Sequence, residues 1–324
     1  MIAPFAGKVL VTGAGGFIGR ALCARFAAAE IDYVAAVRTA APDDSRRESV
    51  VALGDFAAAD WRDVMQGVDT IVHLAGRAHV PPGPAADAPT PFIVANVHVT
   101  RRLAEAAAQA GARRIVFASS VKVYGDASEP GRPFRAGDVA APQGAYARSK
   151  AEAENALAEI CRANGIEAIV LRLPLTYGPE VRGNFRTLLA AVAAQRRLPL
   201  AGIRNRRSLL YVGNAVSAIE AALVAPSSRG EALPIADAEV VSTAELATRL
   251  AQALRVAPRL FHVPATFMRG TAALIGRGTD VSRLLDSLEV DTSRFRELTG
   301  WSPPKSLDEG LAATAAWWQT RRPR

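Results

Sequence analysis

The first half of the chain alternates short apolar, β-branched runs with longer alanine-rich segments. A strand buried on both faces is a continuous apolar run, so the runs predict strands and the longer segments predict helices. The predicted strands cover residues 8–12, 32–38, 50–53, 70–74, 114–119 and 167–172. The predicted helices between them cover residues 17–29, 91–110 and 146–163. This alternation predicts an α/β fold, a doubly wound parallel sheet with helices on both faces.

The regular alternation ends near residue 174, which predicts a second, smaller α/β domain at the sheet edge. Helices are predicted there over residues 183–196, 213–225, 242–255 and 307–319. We assign residues 1–173 and about 209–237 to the larger domain, and about 174–208 and 238–324 to the smaller one. Two loops rich in proline, glycine and alanine, 76–91 and 125–145, interrupt the first half. Loops of that length are expected to wall a functional site.

Composition narrows the class of protein. Half of the 324 residues are hydrophobic, which is enough for a substantial core. We find neither a signal-like N-terminal segment nor an apolar run of about 18 residues, so neither secretion nor a membrane span is expected. Only Cys23 and Cys161 occur, and the histidines and cysteines lack metal-ligand spacing. A cytoplasmic protein without a disulfide or a metal is therefore expected.

The net charge of +8 indicates either a generally basic surface or an anionic ligand. Nucleic acid is not expected as a partner, because no basic stripe is interleaved with aromatic residues and aromatics make up only 6% of the chain. A small phosphorylated ligand fits the charge better.

The segment TGAGGFIG, residues 12–19, follows the first predicted strand and opens the first predicted helix. Gly13 permits a tight exit from the strand, Gly16 lets the backbone approach a pyrophosphate, and Gly19 lets the helix pack on the sheet. The helix N-terminus then offers unpaired N–H groups to the anion. This arrangement predicts a dinucleotide cofactor.

Two residues bear on which dinucleotide binds. The second predicted strand ends at Arg38, where NAD-binding chains commonly carry a carboxylate for the ribose 2′-hydroxyl. An arginine at that place can face a 2′-phosphate, so NADP(H) is favoured over NAD(H). Asp55, in the turn after the third strand, is a candidate partner for the adenine amino group.

Candidate catalytic residues lie in the segment YARSK, residues 146–150, and at the strand end RIVFASS. The i, i+4 spacing puts Tyr146 and Lys150 on one helix face, where the lysine cation is expected to lower the pKa of the phenol. Ser120 ends its strand at the carboxyl edge of the sheet, where such folds bind ligands. We therefore expect Ser120 and Tyr146 to hydrogen-bond a substrate oxygen together.

An ordered set of motifs resembles the extended branch of the short-chain dehydrogenase/reductase superfamily, the nucleotide-sugar epimerases, dehydratases and reductases. The motifs are TGAGGFIG, VHLAG (72–76), SSVKVYG (119–125), YARSK (146–150), LRLPLTYGP (171–179), RRSLLYVGN (206–214) and LTGWSPP (298–304). Further details resemble bacterial 4-keto reductases that make UDP-linked 6-deoxy-N-acetyl sugars for surface polysaccharide, many of which carry the name UDP-glucose 4-epimerase. The resemblance implies a Rossmann domain followed by a substrate domain.

The resemblance also implies roles for particular residues. The catalytic triad would be Ser120, Tyr146 and Lys150. Besides Tyr146 and Lys150, the cofactor contacts would be Gly13, Gly15, Gly16, Phe17, Ile18, Gly19, Arg38, Asp55, Leu74, Ala75, Gly76 and Leu173. The substrate contacts would be Ser120, Lys122, Asn184, Arg207 and Arg283, with Arg207 suited to bidentate contacts with a diphosphate.

Several functions remain open at this point. Dehydratases of this branch typically carry an Asp-Glu pair after the catalytic serine or threonine, and this chain has Val121 and Lys122. We favour NADPH-dependent reduction of the C4 ketone of a UDP-4-keto-6-deoxy-(N-acetyl)hexosamine. The alternatives are an NAD-dependent UDP-hexose 4-epimerase and a non-catalytic NADP sensor. The expected partner is a UDP-sugar, and homodimers are common in this branch.

Overall fold

The computed structural model describes residues 5, 7–40, 49–78, 89–228, 230–274, 282 and 284–320, with backbone alone for 271–274. Most of the predicted loop 76–91 therefore lies outside the described residues, as does Arg283.

Every strand and helix predicted above has a counterpart in the structure. The strands are β1 Lys8–Thr12, β2 Tyr33–Val37, β3 Val50–Ala52, β4 Val68–His73, β5 Arg114–Ser120, β6 Glu167–Leu173, β7 Leu175–Tyr177, β8 Arg207–Tyr211, β9 Ala232–Pro234 and β10 Val240–Val241. The helices are α1 Phe17–Ala28, α2 Pro89–Phe92, α3 Val99–Gln109, α4 Gly144–Ala163, α5 Gly183–Ala193, α6 Val212–Val224, α7 Thr243–Ala253, α8 Ala265–Leu274, α9 Ser293–Thr299 and α10 Leu307–Thr320.

Two features of the chain differ from the predicted pattern. The single helix predicted over 91–110 consists of α2, a π-helical turn at Ile93–His98, and α3. The short strands β7 to β10 and the helices α8 and α9 were not predicted, because the regular alternation of strands and helices ends near residue 174.

A seven-stranded parallel sheet forms the larger part of the molecule, in the order β3-β2-β1-β4-β5-β6-β9. The chain winds outward from β1 to one edge and then from β4 to the other edge. The strand order therefore reverses between β1 and β4, the place where ligands bind at the carboxyl ends of such sheets. The doubly wound α/β fold predicted from the sequence is confirmed.

Alternation along β1 shows how the two faces of this sheet are covered. Val9 and Val11 are fully buried against a cluster that includes side chains of α1 and α6, whereas Leu10 is buried against α3 and α4. Because both faces are packed, the middle residues of the central strands are mostly apolar.

A second sheet of three strands, in the order β10-β8-β7, belongs to a separate apolar cluster with α5, α7 and α10. Strands β7 and β8 are parallel, and β8 and β10 are antiparallel. Residues 207–211 thus pair in the smaller sheet, while β9, a little further along the chain, joins the larger one. Phe17, in the glycine-rich turn, packs against the smaller cluster and so joins the two parts.

The glycine-rich turn brings α1 very close to the strand before it. A Cβ atom at Gly19 would lie 2.7 Å from the Cα atom of Ala14, far inside normal contact. A Cβ atom at Gly15 would have only ordinary contact, 3.7 Å from Val37 Cγ1. Of these two glycines, Gly19 is therefore the one that the packing of α1 on the sheet requires.

We expect Gly19→Ala to lower the free energy of unfolding by about 3 kcal/mol or more, because the clash is with backbone atoms that cannot rotate away. Gly15→Ala is the matched control and should change it by less than about 1 kcal/mol. Urea unfolding of the cofactor-free proteins measures both. Equal stabilities for the two variants would contradict the close packing described for Gly19.

Candidate active site

The glycine-rich turn leaves the start of α1 open to an anion. Gly13 has φ +70°, and a Cβ there would lie 2.6 Å from the backbone N of Ala75. Gly16 is the N-cap of α1 and has no side chain to accept a hydrogen bond from the first turn, which also contains no acidic residue. Because Gly15 and Gly16 are exposed, the N–H groups behind them can receive a pyrophosphate. The residues present therefore fit the phosphates of a dinucleotide.

The other predicted cofactor contacts follow the strand ends of the same sheet edge. Arg38 is exposed and directly follows β2, while Asp55 is exposed after β3 and accepts a hydrogen bond from the backbone N of Ala57 at 3.0 Å. Leu173 ends β6 and is buried. In the first turns of α1, Gly19 is buried, and Phe17 and Ile18 are partly buried.

The end of β4 runs beside the glycine-rich turn. The backbone N of Leu74 donates to the carbonyl of Thr12, and that of Ala75 donates to Thr12 Oγ1 at 3.3 Å. Gly76 is exposed, and a Cβ there would lie 3.0 Å from Asn96 Oδ1. These contacts hold residues 74–76 beside the predicted position of the dinucleotide.

The three predicted catalytic residues converge at the carboxyl end of β5. Ser120 is its last residue, and its Oγ accepts a hydrogen bond from the backbone N of Lys122 at 3.3 Å. The Ser120 hydroxyl also lies close enough to the Tyr146 phenol to lower its pKa. Tyr146 lies in the first turn of α4, and Lys150 lies one turn further along the helix. The pair of hydroxyls can bind one substrate oxygen from two sides.

The effect of Lys150 on the pKa of Tyr146 differs from the one expected from the sequence. Burial raises the pKa of the Tyr146 phenol, and the hydrogen bond with Ser120 lowers it. Lys150 Nζ donates to the carbonyl of Ala118 at 2.6 Å and lies 3.9 Å from the centre of the Phe117 ring. The expected lowering of the Tyr146 pKa by Lys150 is therefore wrong for this structure, because the ammonium group points to the sheet instead of the phenol. Burial lowers the pKa of Lys150 itself to about 7.

A chain of buried hydrogen bonds around His73 was missed in the sequence. Thr100 Oγ1 donates to the carbonyl of Asn96, so it accepts from His73 Nε2 at 2.9 Å. His73 Nδ1 is then unprotonated and accepts from Thr12 Oγ1 at 2.7 Å. Burial, and secondarily the charge of Lys150, lowers the pKa of His73 to about 3. The neutral imidazole thereby connects the strand before the glycine-rich turn to the helix on the other side of β4.

The same chain continues through Asn96 to the helix that carries Tyr146. Asn96 lies in the π-helical turn; its Oδ1 accepts from the backbone N of Arg77 at 2.7 Å and its Nδ2 donates to Ser149 Oγ at 2.8 Å. Ser149 Oγ in turn donates to the carbonyl of Tyr146 at 2.8 Å. We name residues Thr12, His73, Asn96, Thr100 and Ser149 the polar chain. Its hydrogen bonds fix the position of the glycine-rich turn relative to α4, the helix that carries Tyr146.

The predicted substrate contacts are spread more widely. Half-buried Arg207 starts β8, and its Nη1 donates to the carbonyl of Asp286 at 3.1 Å. Burial lowers the pKa of Arg207. Asn184 is exposed at the start of α5, and Lys122 Nζ is paired with Asp126 at 2.6 Å. Arg283 lies outside the described residues.

None of the helices in the described part of the chain is both long enough and apolar enough to cross a membrane. Within the same ranges, no group of three or more histidine, cysteine, aspartate or glutamate side chains could hold a metal ion.

Comparison with known proteins agrees with this geometry. Residues 9–236 match the model of the family described as "NAD dependent epimerase/dehydratase family". The chain is 34% identical to the UDP-glucose 4-epimerase of Vibrio cholerae over 312 residues, 95% of this chain and 94% of that one. It is 30% identical to the dTDP-glucose 4,6-dehydratase of Streptomyces griseus, with 97% and 94% of the two chains covered.

Solved structures give the same picture. MoeE5 in complex with UDP-glucuronic acid and NAD superposes with a TM-score of 0.76 and 26% identity, covering 98% of this chain and 100% of that one. The match extends over both the large sheet and the smaller part of the molecule.

His73 generates a prediction about stability and pH. Its folded-state pKa of about 3 lies below the ordinary value of 6.5, so between these pH values the unfolded chain binds a proton that the folded protein does not. As pH falls below 6.5, this one group should cost about 1.4 kcal/mol of stability for each pH unit. His73→Gln should therefore show a shallower loss of stability between pH 6 and about 4, measured by urea unfolding.

The control for this measurement is His98→Gln, which replaces an exposed histidine outside the polar chain. Its pH profile should run parallel to that of the wild type. If His73→Gln also runs parallel to the wild type, His73 is not held neutral by its surroundings.

Proposed function

We propose a specific reaction on the premise that this chain belongs to the NAD-dependent epimerase/dehydratase family and is an enzyme acting on nucleotide sugars. The reaction is the NADPH-dependent reduction of the C4 ketone of a UDP-4-keto-6-deoxy-(N-acetyl)hexosamine. Tyr146 gives the proton to the C4 oxygen. The product would be a UDP-linked 6-deoxy sugar of the kind used for surface polysaccharide.

The observation that carries the chemistry at C4 is the proximity of Ser120 and Tyr146 at the carboxyl edge of the sheet, and Arg38 favours the reductase over the epimerase. A ketone oxygen bound by both hydroxyls gains negative charge as the carbonyl is reduced. Donors already in place for that charge stabilise the transition state without reorganisation. Because Tyr146 is neutral, its phenol can complete the transfer of a proton to the new alkoxide.

When bound, the nicotinamide supplies the hydride that reduces C4. Lys150, buried one helical turn from Tyr146, is the cation that would contact the nicotinamide ribose and stabilise the phenolate left after proton transfer. Lys150 Nζ donates to the carbonyl of Ala118, so this role requires Nζ to turn from the sheet toward the cleft.

NADP(H) is proposed over NAD(H) on the evidence of Arg38. This arginine is exposed directly after β2, where a 2′-phosphate of the adenosine ribose would lie. A guanidinium can bind that phosphate in a bidentate manner. Asp55, exposed after the neighbouring strand β3, is proposed as a partner of the adenine amino group.

For the substrate, we assign the diphosphate to Arg207, with Asn184 at the start of α5 and Arg283 as further contacts. Burial lowers the pKa of half-buried Arg207, which indicates that its charge gains from an anionic ligand. A uridine nucleotide is proposed because the similar protein MoeE5 is named as a complex with UDP-glucuronic acid. Lys122 is proposed to contact the sugar after leaving Asp126.

Two residues bear on the sugar and the reaction. Leu175, two residues beyond the end of β6, is 37% exposed, and an apolar side chain there suits the C6 methyl group of a 6-deoxy sugar.

Dehydration is disfavoured, although the relative from Streptomyces griseus is named a dehydratase. Elimination of water needs an acid and a base, and the positions after Ser120 hold buried, apolar Val121 and the cation Lys122.

A 4-epimerase is the second candidate. The relative from Vibrio cholerae carries the name UDP-glucose 4-epimerase. Tyr146 and Ser120 could serve it equally well, since the phenol would first remove and later return the proton of the 4-hydroxyl group. The two candidates differ in one respect: a reductase consumes external NADPH, whereas an epimerase regenerates its cofactor in each turnover.

Tyr146→Phe should reduce turnover of a UDP-4-keto sugar by roughly 10³-fold or more, because it removes the proton donor and keeps the ring. Cofactor affinity, measured by fluorescence of bound NADPH, should change little. Tyr33→Phe, which removes a phenol on β2 away from the site, is the control and should retain full activity. Near-normal turnover of Tyr146→Phe would refute the assignment of the acid.

A further inference from the structure

A buried ionic cluster lies directly behind the catalytic residues and is not part of the triad. It consists of Ser119, Glu154 and Arg172, each less than a tenth exposed. Arg172 Nε donates to Glu154 Oε1 at 3.1 Å, and Arg172 Nη2 donates to Glu154 Oε2 at 2.6 Å. Ser119 Oγ also donates to Glu154 Oε1. These contacts hold the carboxylate of Glu154 in one orientation.

The place of Glu154 on α4 gives the cluster a relation to the active site. Glu154 follows Lys150 by four residues, so the two side chains lie on one face of the helix, one turn apart. Lys150 is itself 5% exposed. A buried ammonium group is costly unless a negative charge lies near it.

Among the residues that the structure describes, the other groups that face Lys150 carry no negative charge. Strand β5 offers the Ala118 carbonyl and the ring of Phe117, and β4 offers His73, which is neutral. On its own helix, Tyr146 is a protonated phenol. Glu154 is the charged group whose field raises the pKa of Lys150, against the larger lowering by burial.

We propose that Glu154 is a positioning residue that favours the ammonium form of Lys150, with Arg172 and Ser119 fixing its carboxylate. The proposal deepens the proposed function and rests on it for the importance of the lysine charge. In the absence of Glu154, Lys150 would be largely a neutral amine at neutral pH. It could then neither stabilise the phenolate of Tyr146 nor contact the ribose as a cation.

The cluster also extends toward the substrate side. The guanidinium of Arg172 lies 4.1 Å from the centre of the Tyr124 ring, which stacks on Phe134 at 5.1 Å. The backbone of Phe134 is hydrogen-bonded to Glu289 and Asp291. Since Arg207 pairs with neighbouring Leu288, the same cluster reaches from the lysine to the strand segment beside the proposed diphosphate ligand.

Direct titration of Lys150 tests this proposal without cofactor or substrate. The chain has only four lysines, Lys8, Lys122, Lys150 and Lys305, so a protein labelled with ¹³C-lysine gives few Cε signals. The signal missing from Lys150→Met identifies Lys150. Its chemical shift is followed against pH in the cofactor-free protein, and the wild-type midpoint is expected near 7.

Three variants should shift the Lys150 midpoint by different amounts. Glu154→Gln should lower the midpoint by one pH unit or more, because the carboxylate is lost and the Arg172 cation remains unpaired. The double variant Glu154→Gln, Arg172→Met should lower it by a smaller amount, since both charges are removed. Glu154→Asp keeps a carboxylate and should bring the midpoint back toward that of the wild type.

Glu167→Gln is the matched control. Glu167 forms an ion pair with Arg114 across the same two strands, β5 and β6, at their opposite ends. This variant should leave the Lys150 midpoint unchanged, which separates a local charge effect from a general loss of structure. If Glu154→Gln does not fold, the double variant tests the proposal in its place, because it buries no unpaired charge.

An unchanged midpoint in the Glu154 variants would overturn the proposal. The proposal would also be overturned if Glu167→Gln lowered the Lys150 midpoint as much as Glu154→Gln does, since the effect would then be a general loss of structure. The proposed function fails separately: if the titration behaves as expected but the wild type reduces no UDP-4-keto sugar, the reaction is wrong and the role of Glu154 in holding the charge remains.

Discussion

The close approach of the glycine-rich turn to the end of β4 is the constraint on which the rest of the site depends. Gly13 passes so near Ala75 that any side chain would collide with its backbone. This approach keeps the N-terminus of α1 open and lets Thr12 contact His73. From there the polar chain runs through Asn96 and Ser149 to the carbonyl of Tyr146. The glycine-rich turn and the residue proposed as the catalytic acid are thus parts of one hydrogen-bonded unit.

Burial controls the charge of each group in that unit. His73 is kept neutral, Tyr146 is kept protonated, and Lys150 is brought close to the point where it would lose its proton. Glu154, the carboxylate on the Lys150 face of α4, accepts two hydrogen bonds from Arg172. A site arranged in this way can donate a proton at neutral pH and hold a cation one helical turn from the donor.

Much of this arrangement follows from local sequence, and some of it does not. The strand–glycine–helix pattern predicts the turn at Gly13, and the i, i+4 spacing predicts the shared helix face of Tyr146 and Lys150. The contact of Lys150 with Ala118 could not be predicted, because it depends on how α4 sits on β5. The hydrogen bonds of Asn96 in the π-helical turn could not be predicted either, because its partners Arg77 and Ser149 lie 19 and 53 residues away. The parallel order of the larger sheet, by contrast, follows from the alternation of strands and helices alone.

Transfer of deuterium from NADPH to the sugar tests the central claim most directly. The wild-type protein is mixed with a UDP-4-keto-6-deoxy hexosamine and NADPH that carries deuterium on both sides of the nicotinamide C4. The account predicts that NADPH is oxidised and that the product carries deuterium at C4 of the sugar. A sugar product that is unlabelled at C4, or formed without consumption of NADPH, would contradict it.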